Sequence, residues 1–256
     1  FYQSPSRPSF EISNNGAYVV FTARASNLVS DFADGNGTGS TGSLGEVNGG
    51  ADVYVYEVAT GTVRLASRNP GFPSLNVSGN GSAFAPSISD DGLRVTFLSD
   101  ATNLIAGGAN PLSAVQAYLY DWNEDTLQLI SHTSSSSTMG GNGDTTRAVI
   151  SGNGQRVAFI SQATDVGPNS HVDANGQADV FLYFVDGDGG LGFPPGEVRI
   201  VSGYRPNMLQ TANAGADEYA LAISVDGRYV AYLSESSDMT TPETTYLAGP
   251  KKNAFL

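Results

Sequence analysis

The 256-residue chain contains no cysteine. That excludes disulfides, zinc–thiolate sites, iron–sulfur clusters, c-type haem and a cysteine nucleophile. Lysine occurs only as Lys251 and Lys252, and Lys and Arg together number 12 against 25 Asp and Glu, for a net charge of −13. Without a basic face, binding to nucleic acid or to an anionic membrane surface is not expected. Only 14% of residues are charged, so surface polarity must come from Ser, Thr, Asn and Gly. That palette is common in exported β-proteins, and extracellular, periplasmic or cell-surface residence is expected. No apolar run approaches the roughly 18 residues that a spanning helix needs. No signal peptide is recognisable and the residues start at Phe1 without Met, as in a processed or partial polypeptide. Catalytic signatures are also lacking: there is no G-x-S-x-G elbow, H-E-x-x-H pair or phosphate-binding G-x-x-x-x-G-K-[ST] loop. The two histidines, His132 and His171, have no partner visible in sequence.

What the chain has is repetition. Four segments align without a gap: SNNGAYVVFTARASN (13–27), SDDGLRVTFLSDATN (89–103), SGNGQRVAFISQATD (151–165) and SVDGRYVAYLSESSD (224–238). Each has Ser three residues before an anchor glycine: Gly16, Gly92, Gly154 or Gly227. Three residues after it stands Val19, Val95, Val157 or Val230, and two further on Phe21, Phe97, Phe159 or Tyr232. Asn27, Asn103, Asp165 or Asp238 closes each segment. Ser-x-[Asn/Asp]-Gly makes a tight turn, with Gly at positive φ and Asn or Asp bonding its own backbone. The alternation that follows is that of a strand with one buried face, so each Val and aromatic is expected inside. Short strands precede each turn, giving a first hairpin.

A second hairpin follows at variable distance, in ADVYVYEVATGTVRLAS (51–67), QAYLYDWNEDTLQLIS (116–131) and ADVFLYFVDGDGGLGFPPGEVRIVS (178–202). Tyr54 and Tyr56 align with Tyr118 and Tyr120, and with Phe181 and Tyr183. Two hairpins make a four-stranded antiparallel unit, and tandem units of this kind are the signature of propeller blades. A β-sandwich also gives many short strands but not such register-perfect repetition. The expected fold is all-β, a propeller with about four blades present (about 1–70, 71–134, 135–205 and 206–256) in a single domain. In the first blade, strands are expected near 8–13, 17–23, 51–58 and 62–67.

The patterns S-x-[ND]-G-x-x-V-x-[FY]-x-[SA], D-V-[YF]-[VL]-Y and T-x-x-L-x-S resemble the TolB-like (PD40, WD40-like) propeller repeat over nearly the whole chain. The resemblance implies six or more blades. Since the fourth copy stops in its third strand at Asn253–Leu256, an arc or incomplete ring is expected. Pairing of Phe1–Pro5 with Asn253–Leu256 would contradict that. Propellers of this kind occur as binding proteins, peptidase accessory domains and some lyases, so the resemblance carries fold rather than activity.

The loops between second and third strands (24–50, 100–115, 162–177 and 235–252) are long and polar, and form the expected functional face. The third contains Asp173, Asn175 and Asp179 in a D-x-N-G-x-x-D arrangement, whose alternating oxygens suit a hard cation such as Ca2+. The first offers Asp34, Asn36 and Asp52 besides Asp31. The second has Gln116 where the others have Asp52 and Asp179. Simple turn formation is the plainer reading of all three. Asp186 and Asp188 resemble half a calcium loop, though a hairpin turn is the better reading, and Trp122 is expected to cap a blade edge. N-x-[S/T] triplets stand at Asn36, Asn76 and Asn80.

The favoured function is a non-catalytic extracellular or cell-surface module, calcium-stabilised, that binds a protein or a surface polysaccharide. One alternative is a carbohydrate-active enzyme, a polysaccharide lyase or hydrolase with carboxylates in the central funnel. The other is a subunit of a surface filament or layer. Further partners are other copies of the chain or the remainder of a longer one. No organic cofactor is expected.

Overall fold

The computed structural model describes residues 10–36, 50–110, 113–168, 172–187, 192–203, 210–237 and 253–255. The first unit holds β1 (Phe10–Ile12), β2 (Tyr18–Ala23), the short β3 (Phe32–Ala33), β4 (Asp52–Glu57) and β5 (Thr62–Leu65). After β6 (Asn76–Val77), the second holds β7 (Ala83–Ile88), β8 (Arg94–Ser99), β9 (Gln116–Asp121) and β10 (Thr126–Leu129). A small ribbon, β11 (His132–Thr133) and β12 (Ser136–Gly140), leads to the third: β13 (Thr145–Ile150), β14 (Arg156–Ser161), β15 (Asp179–Phe184) and β16 (Val198–Ile200). The fourth has β17 (Ala216–Ile223), β18 (Val230–Ser234) and β19 (Asn253–Phe255). The sheet orders are β1-β2-β4-β5, β7-β8-β9-β10, β13-β14-β15-β16 and β17-β18-β19. Each is a meander, and no helix occurs among the described residues. These are consecutive blades of a β-propeller. Phe1–Pro5, whose pairing with the last strand would contradict an open arc, lies outside the described residues.

Register turns the repeat into a core. Val19 pairs with Tyr56 and Phe21 with Tyr54, Val95 with Tyr120 and Phe97 with Tyr118, and Val157 with Tyr183 and Phe159 with Phe181. The paired rings stack, with centroids 5.7, 5.7 and 5.3 Å apart and planes 22°, 21° and 20° from parallel. Such a pair contributes about 0.5–1.5 kcal/mol beyond its burial. The opposite face of each sheet is aliphatic. Val20, Val53 and Val55 of blade one cover Val95, Phe97, Tyr118 and Tyr120 of blade two. Leu98 and Leu119 of blade two cover Val157, Phe159, Phe181 and Tyr183 of blade three. Ala158, Ile160 and Val180 of blade three cover Val230 and Tyr232 of blade four. Six of the eight expected core residues are buried. Val19 and Phe21 are only half-buried, since among the described residues no other blade covers that face.

The turns are built as their composition demands and are used twice. In all four, the serine hydroxyl accepts the amide of the residue five ahead (Tyr18, Arg94, Arg156 and Tyr229 in chain order) and donates to Asn15, Asp91, Asn153 or Asp226. The anchor glycines take φ of 69°, 80°, 71° and 70°. Neighbouring turns then bond to one another: Asn15 N–H to Asp90 O, Asp90 N–H to Gly152 O, and Asn153 N–H to Val225 O. The side chain two after each of the first three anchor glycines lies against the next one. A Cβ on Gly92 would collide with the Tyr18 ring, one on Gly154 would sit 3.2 Å from Arg94 Cδ, and one on Gly227 would sit 2.6 Å from Arg156 Cγ.

Blades are also clamped at their outer ends. Arg94 pairs with Asp121 of its own blade (3.2 Å) and forks onto Asp186 of the next, with Nη2 2.9 Å from Oδ1. Asp186 therefore serves an inter-blade ion pair at the β15–β16 hairpin; Asp188 lies outside the described residues. Arg64 stacks on Trp122 at 3.9 Å and donates to its carbonyl oxygen, and Tyr18 meets the same indole edge-on. Trp122 thus seals the seam between blades one and two.

Gly92→Ala is expected to lose about 2–5 kcal/mol, combining positive-φ strain of about 1–2 with overpacking of about 1–3. Gly16→Ala, whose Cβ meets nothing within 4 Å among the described residues, should lose only the first part. Denaturant titration of both variants measures the difference; equal losses would remove the socket role assigned to Gly92.

Candidate functional site

The first and third loops bring their predicted residues together. In the third, Asp173 Oδ1 accepts the amides of Asn175 (3.0 Å) and Gly176 (2.7 Å). Asn175 donates its Nδ2 to Ala212 O at 2.8 Å and accepts Gln177 N–H on Oδ1 at 2.6 Å. Asp179 begins β15, is 2% exposed, and accepts the Ser202 hydroxyl at 2.9 Å. In the first loop, Asp34 accepts Asn36 N–H at 3.1 Å. Asn36 Nδ2 reaches Asp52 Oδ1 at 3.3 Å and Gly81 O at 2.9 Å, while its Oδ1 is buried with no partner. Asp52 begins β4, is 2% exposed, and accepts the Ser67 hydroxyl at 3.2 Å. Asp31 is exposed, at the tip of the turn before β3.

Burial pushes both interior carboxyls up to about 7. Desolvation is the largest cause; the neighbouring Asp34 or Asp173 adds to it, and bonds from Ser67 and Asn36, or Ser202 and Asn175, oppose it. The serines hold a second bond, accepting Val53 N–H at 3.1 Å and Val180 N–H at 2.9 Å. The third and fourth strands of the blade are thereby latched together.

Blade two performs the same task with one residue. Gln116 accepts the Ser131 hydroxyl on Oε1 at 2.6 Å, and its Nε2 donates to Gly141 O at 2.9 Å. Ser131 in turn accepts Ala117 N–H at 2.9 Å. In blade three the two bonds are divided: Asp179 takes the serine and Asn175 takes the carbonyl of Ala212. Gln116 is thus the neutral equivalent of an Asp–Asn pair, not a site that has simply lost its carboxylate.

A second recurrent device escaped the sequence reading. Asn80 Oδ1 accepts Thr102 N–H and its Nδ2 donates to Thr102 Oγ1, both at 2.7 Å. Asn142 makes the same pair of bonds with Thr164, both at 2.8 Å, and Asn213 Oδ1 accepts Ser237 N–H at 3.1 Å while its Nδ2 donates to Ser237 Oγ at 2.8 Å. Each asparagine ties the entry of a blade to the end of that blade's second strand. The Asn-Gly of 80–81 and 142–143 is the available signal, but its partner lies over 20 residues away. Asn103 and Asp165, which close the aligned segments, accept the backbone amides of Asn80 and Asn142 at 2.9 Å each. Among the sequon asparagines, the amides of Asn36, Asn76 and Asn80 are all hydrogen-bonded, Asn76 to Ser30 O at 2.7 Å.

His132 lies edge-on to Tyr183, with Nδ1 2.8 Å from Thr133 O and Nε2 3.1 Å from Gly196 O. It bridges blades two and three. His171 lies outside the described residues. Among the described residues, no three His, Cys, Asp or Glu side chains gather at metal-binding distances, and no helix is long and apolar enough to cross a membrane.

The chain is similar in structure to other propellers. TolB from Acinetobacter baumannii matches at a TM-score of 0.42 with 16% identity, over 90% of this chain and 38% of that one. The tricorn protease matches at 0.44 with 8% identity, over 89% and 24%. The β-propeller domain of the Trilobed protease from Pyrococcus furiosus matches at 0.42 with 8% identity, over 93% and 50%. This chain therefore spans half or less of the length of each. No protein-family model matches it, and no curated protein does.

The raised carboxyls carry a pH dependence of definite sign. A folded value near 7 against an ordinary value of 3.8 means the folded state holds the proton more tightly. The contribution of Asp179 is then most favourable below pH 4 and is lost as pH rises through 7, by about 4 kcal/mol. Asp179→Asn keeps the acceptor for Ser202 and cannot ionise, as Gln116 already cannot. Thermal melts from pH 4 to 9 should show a flatter profile for the variant and a higher midpoint than wild type above pH 8. Parallel profiles would place an ionised Asp179 in the fold.

Proposed function

We propose that this chain is a non-catalytic β-propeller module of an extracellular, periplasmic or cell-surface protein, which receives a protein or a surface polysaccharide on its second-to-third-strand loops. The observation carrying this reading is the use made of the recurrent polar residues. Asp52, Gln116 and Asp179, the four turn serines, Asn80, Asn142 and Asn213, and Arg94 are all engaged in holding strands and blades. The elements left to differ between units are the loops, and recognition is carried by what varies on a fixed scaffold. The preponderance of acidic residues favours a neutral or basic partner surface.

Calcium is the proposed stabilising ion at Asp34, Asn36 and Asp52 and at Asp173, Asn175 and Asp179. Each group supplies two carboxylates, an amide oxygen and a nearby serine hydroxyl, the hard oxygen donors that Ca2+ takes. The buried, unpartnered Oδ1 of Asn36 supports the first group in particular.

Two measurements test these readings. Calorimetric titration with neutral and acidic polysaccharides, beside assays for reducing ends and unsaturated products, should show saturable binding and no turnover; product release would establish the carbohydrate-active alternative instead. In melts at pH 8, Ca2+ at about a hundred times its dissociation constant should stabilise the fold by about 2.7 kcal/mol, a rise of several degrees. The double variant Asp34→Asn, Asp173→Asn should abolish the rise. Identical melts in Ca2+ and in chelator would dismiss the ion.

A further inference from the structure

The seam between blades one and two holds a recess of about 300 Å3 along β5, the outermost strand of blade one. It is lined by Ser74–Asn76, from the connection to blade two, and by Asp125 of the β9–β10 turn. A recess of about 320 Å3 recurs between blades two and three, along β10. Register makes the two equivalent: Arg64 and Gln128 each precede the leucine that pairs with the first tyrosine of the third strand. Arg68 and His132 each follow the latch serine. Each reaches the carbonyl oxygen of a left-handed residue in the next blade's second hairpin, Asp125 (φ 51°) at 2.7 Å and Gly196 (φ 83°) at 3.1 Å.

The architecture repeats and the chemistry does not. The second recess is lined by Ile105, Leu127, Leu129 and Val185 and by no charged side chain. The first gathers two of the chain's 12 Lys and Arg residues. Both guanidinium groups are fixed and only partly used. Arg64 stacks on Trp122 and donates to its carbonyl oxygen. Arg68 meets Asp125 through Nη2 alone, at 2.7 Å from the carbonyl oxygen and 2.9 Å from the carboxylate, so its Nε and Nη1 have no partner among the described residues. The carboxylate of Asp125 is itself committed, with Oδ2 on Arg68 and Oδ1 accepting the Tyr120 hydroxyl at 2.8 Å. The recess thus has one positive charge in excess, in a molecule of net charge −13. Two guanidinium groups locally reverse the sign of the surface there, and their planar donors suit an oxyanion.

We infer that this recess binds an acidic sugar residue, a uronic acid unit of a polysaccharide, with its carboxylate between Arg64 and Arg68. The ring hydroxyls meet Ser74 and Asn76, whose Nδ2 is anchored on Ser30 O at 2.7 Å. The C–H face of the ring meets Leu75, which is 49% exposed. The volume lies at the low end of the roughly 300–1,000 Å3 of small-molecule sites and suits one pyranose ring. An aspartate or glutamate side chain brings the same carboxylate without hydroxyls for Ser74 and Asn76. The site is separate from the second-to-third-strand loops and does not depend on what they receive.

Calorimetric titration of the full 256-residue chain with a uronic acid trimer, its methyl ester and triglutamate tests this. The acid trimer should bind with an affinity that falls as salt rises. The ester and triglutamate should bind at least about tenfold more weakly, the loss of a charge-assisted contact. Arg68→Gln removes one cation, and Ser74→Asp sets a carboxylate at an exposed position on the rim; each should weaken binding about tenfold or more. Ser137→Asp, the like change in the second recess, should leave the affinity unaltered. Melting curves show whether each variant keeps its fold, and Ser74→Asp, which breaks no contact across the seam, decides the matter if Arg68→Gln does not. Acid-trimer binding that survives both variants would place the sugar on the loops, overturning the inference while leaving the loop reading intact. Equal binding of triglutamate would replace the sugar by an acidic peptide, and an acid trimer that does not bind would remove the site.

Discussion

The anchor glycine of each first hairpin is where the constraints on this molecule meet. Its positive φ closes the turn, and its lack of a side chain leaves room for the residue that the preceding blade extends across it. Once that residue is seated, the neighbouring turn can come within hydrogen-bonding distance. The aromatic pair of one blade then lies against the aliphatic face of the one before. A side chain at Gly92 would hold the two sheets apart, and the cluster of Val53, Val55, Phe97 and Tyr118 could not close. Strand register, ring stacking and blade spacing therefore depend on a position whose contribution is an absence of atoms.

Much of this was legible in the sequence because the relevant signals are local. Glycine at a fixed offset from serine, valine three residues later and an aromatic two beyond that specify a turn and the buried face of a strand within about ten residues. The four-stranded meander follows, as does the third strand of the last unit at Asn253–Phe255. The same logic fails at Val19 and Phe21, since burial in a propeller is supplied by the neighbouring blade and not by the strand itself.

The loops were harder to read, for a physical reason. Asp173, Asn175 and Asp179 look like a self-contained set of oxygens when only their spacing is seen. Their hydrogen-bond partners lie far along the chain, at Ser202 and at the carbonyl of Ala212. With those in view, the pair Asn175 and Asp179 is an acceptor for one serine and a donor to one carbonyl, and Gln116 combines both capacities in one side chain. Substitution of a carboxylate by an amide is tolerated there because the latch needs an oxygen acceptor and not a charge. Likewise, no local pattern links Asn80 to Thr102 or Arg94 to Asp186. The first joins segments that the meander of one blade brings together, and the second joins two blades that only their stacking brings together.

The first three long loops are each fastened to the entry of the following blade by a parallel contact: β3 with β6, Ala109 with Met139, and Val172 with Gln210. The loops differ widely in length, yet the fastening recurs at the same place in the architecture. A loop pinned at one point and rooted in two strands can gain or lose residues beyond the pin without moving the sheets. These stretches are thus natural graft positions, where foreign peptides of differing length can be exchanged while the stack beneath them keeps its geometry. The fastening also makes each loop a shared possession of two blades, so a mechanical load on it is divided between them.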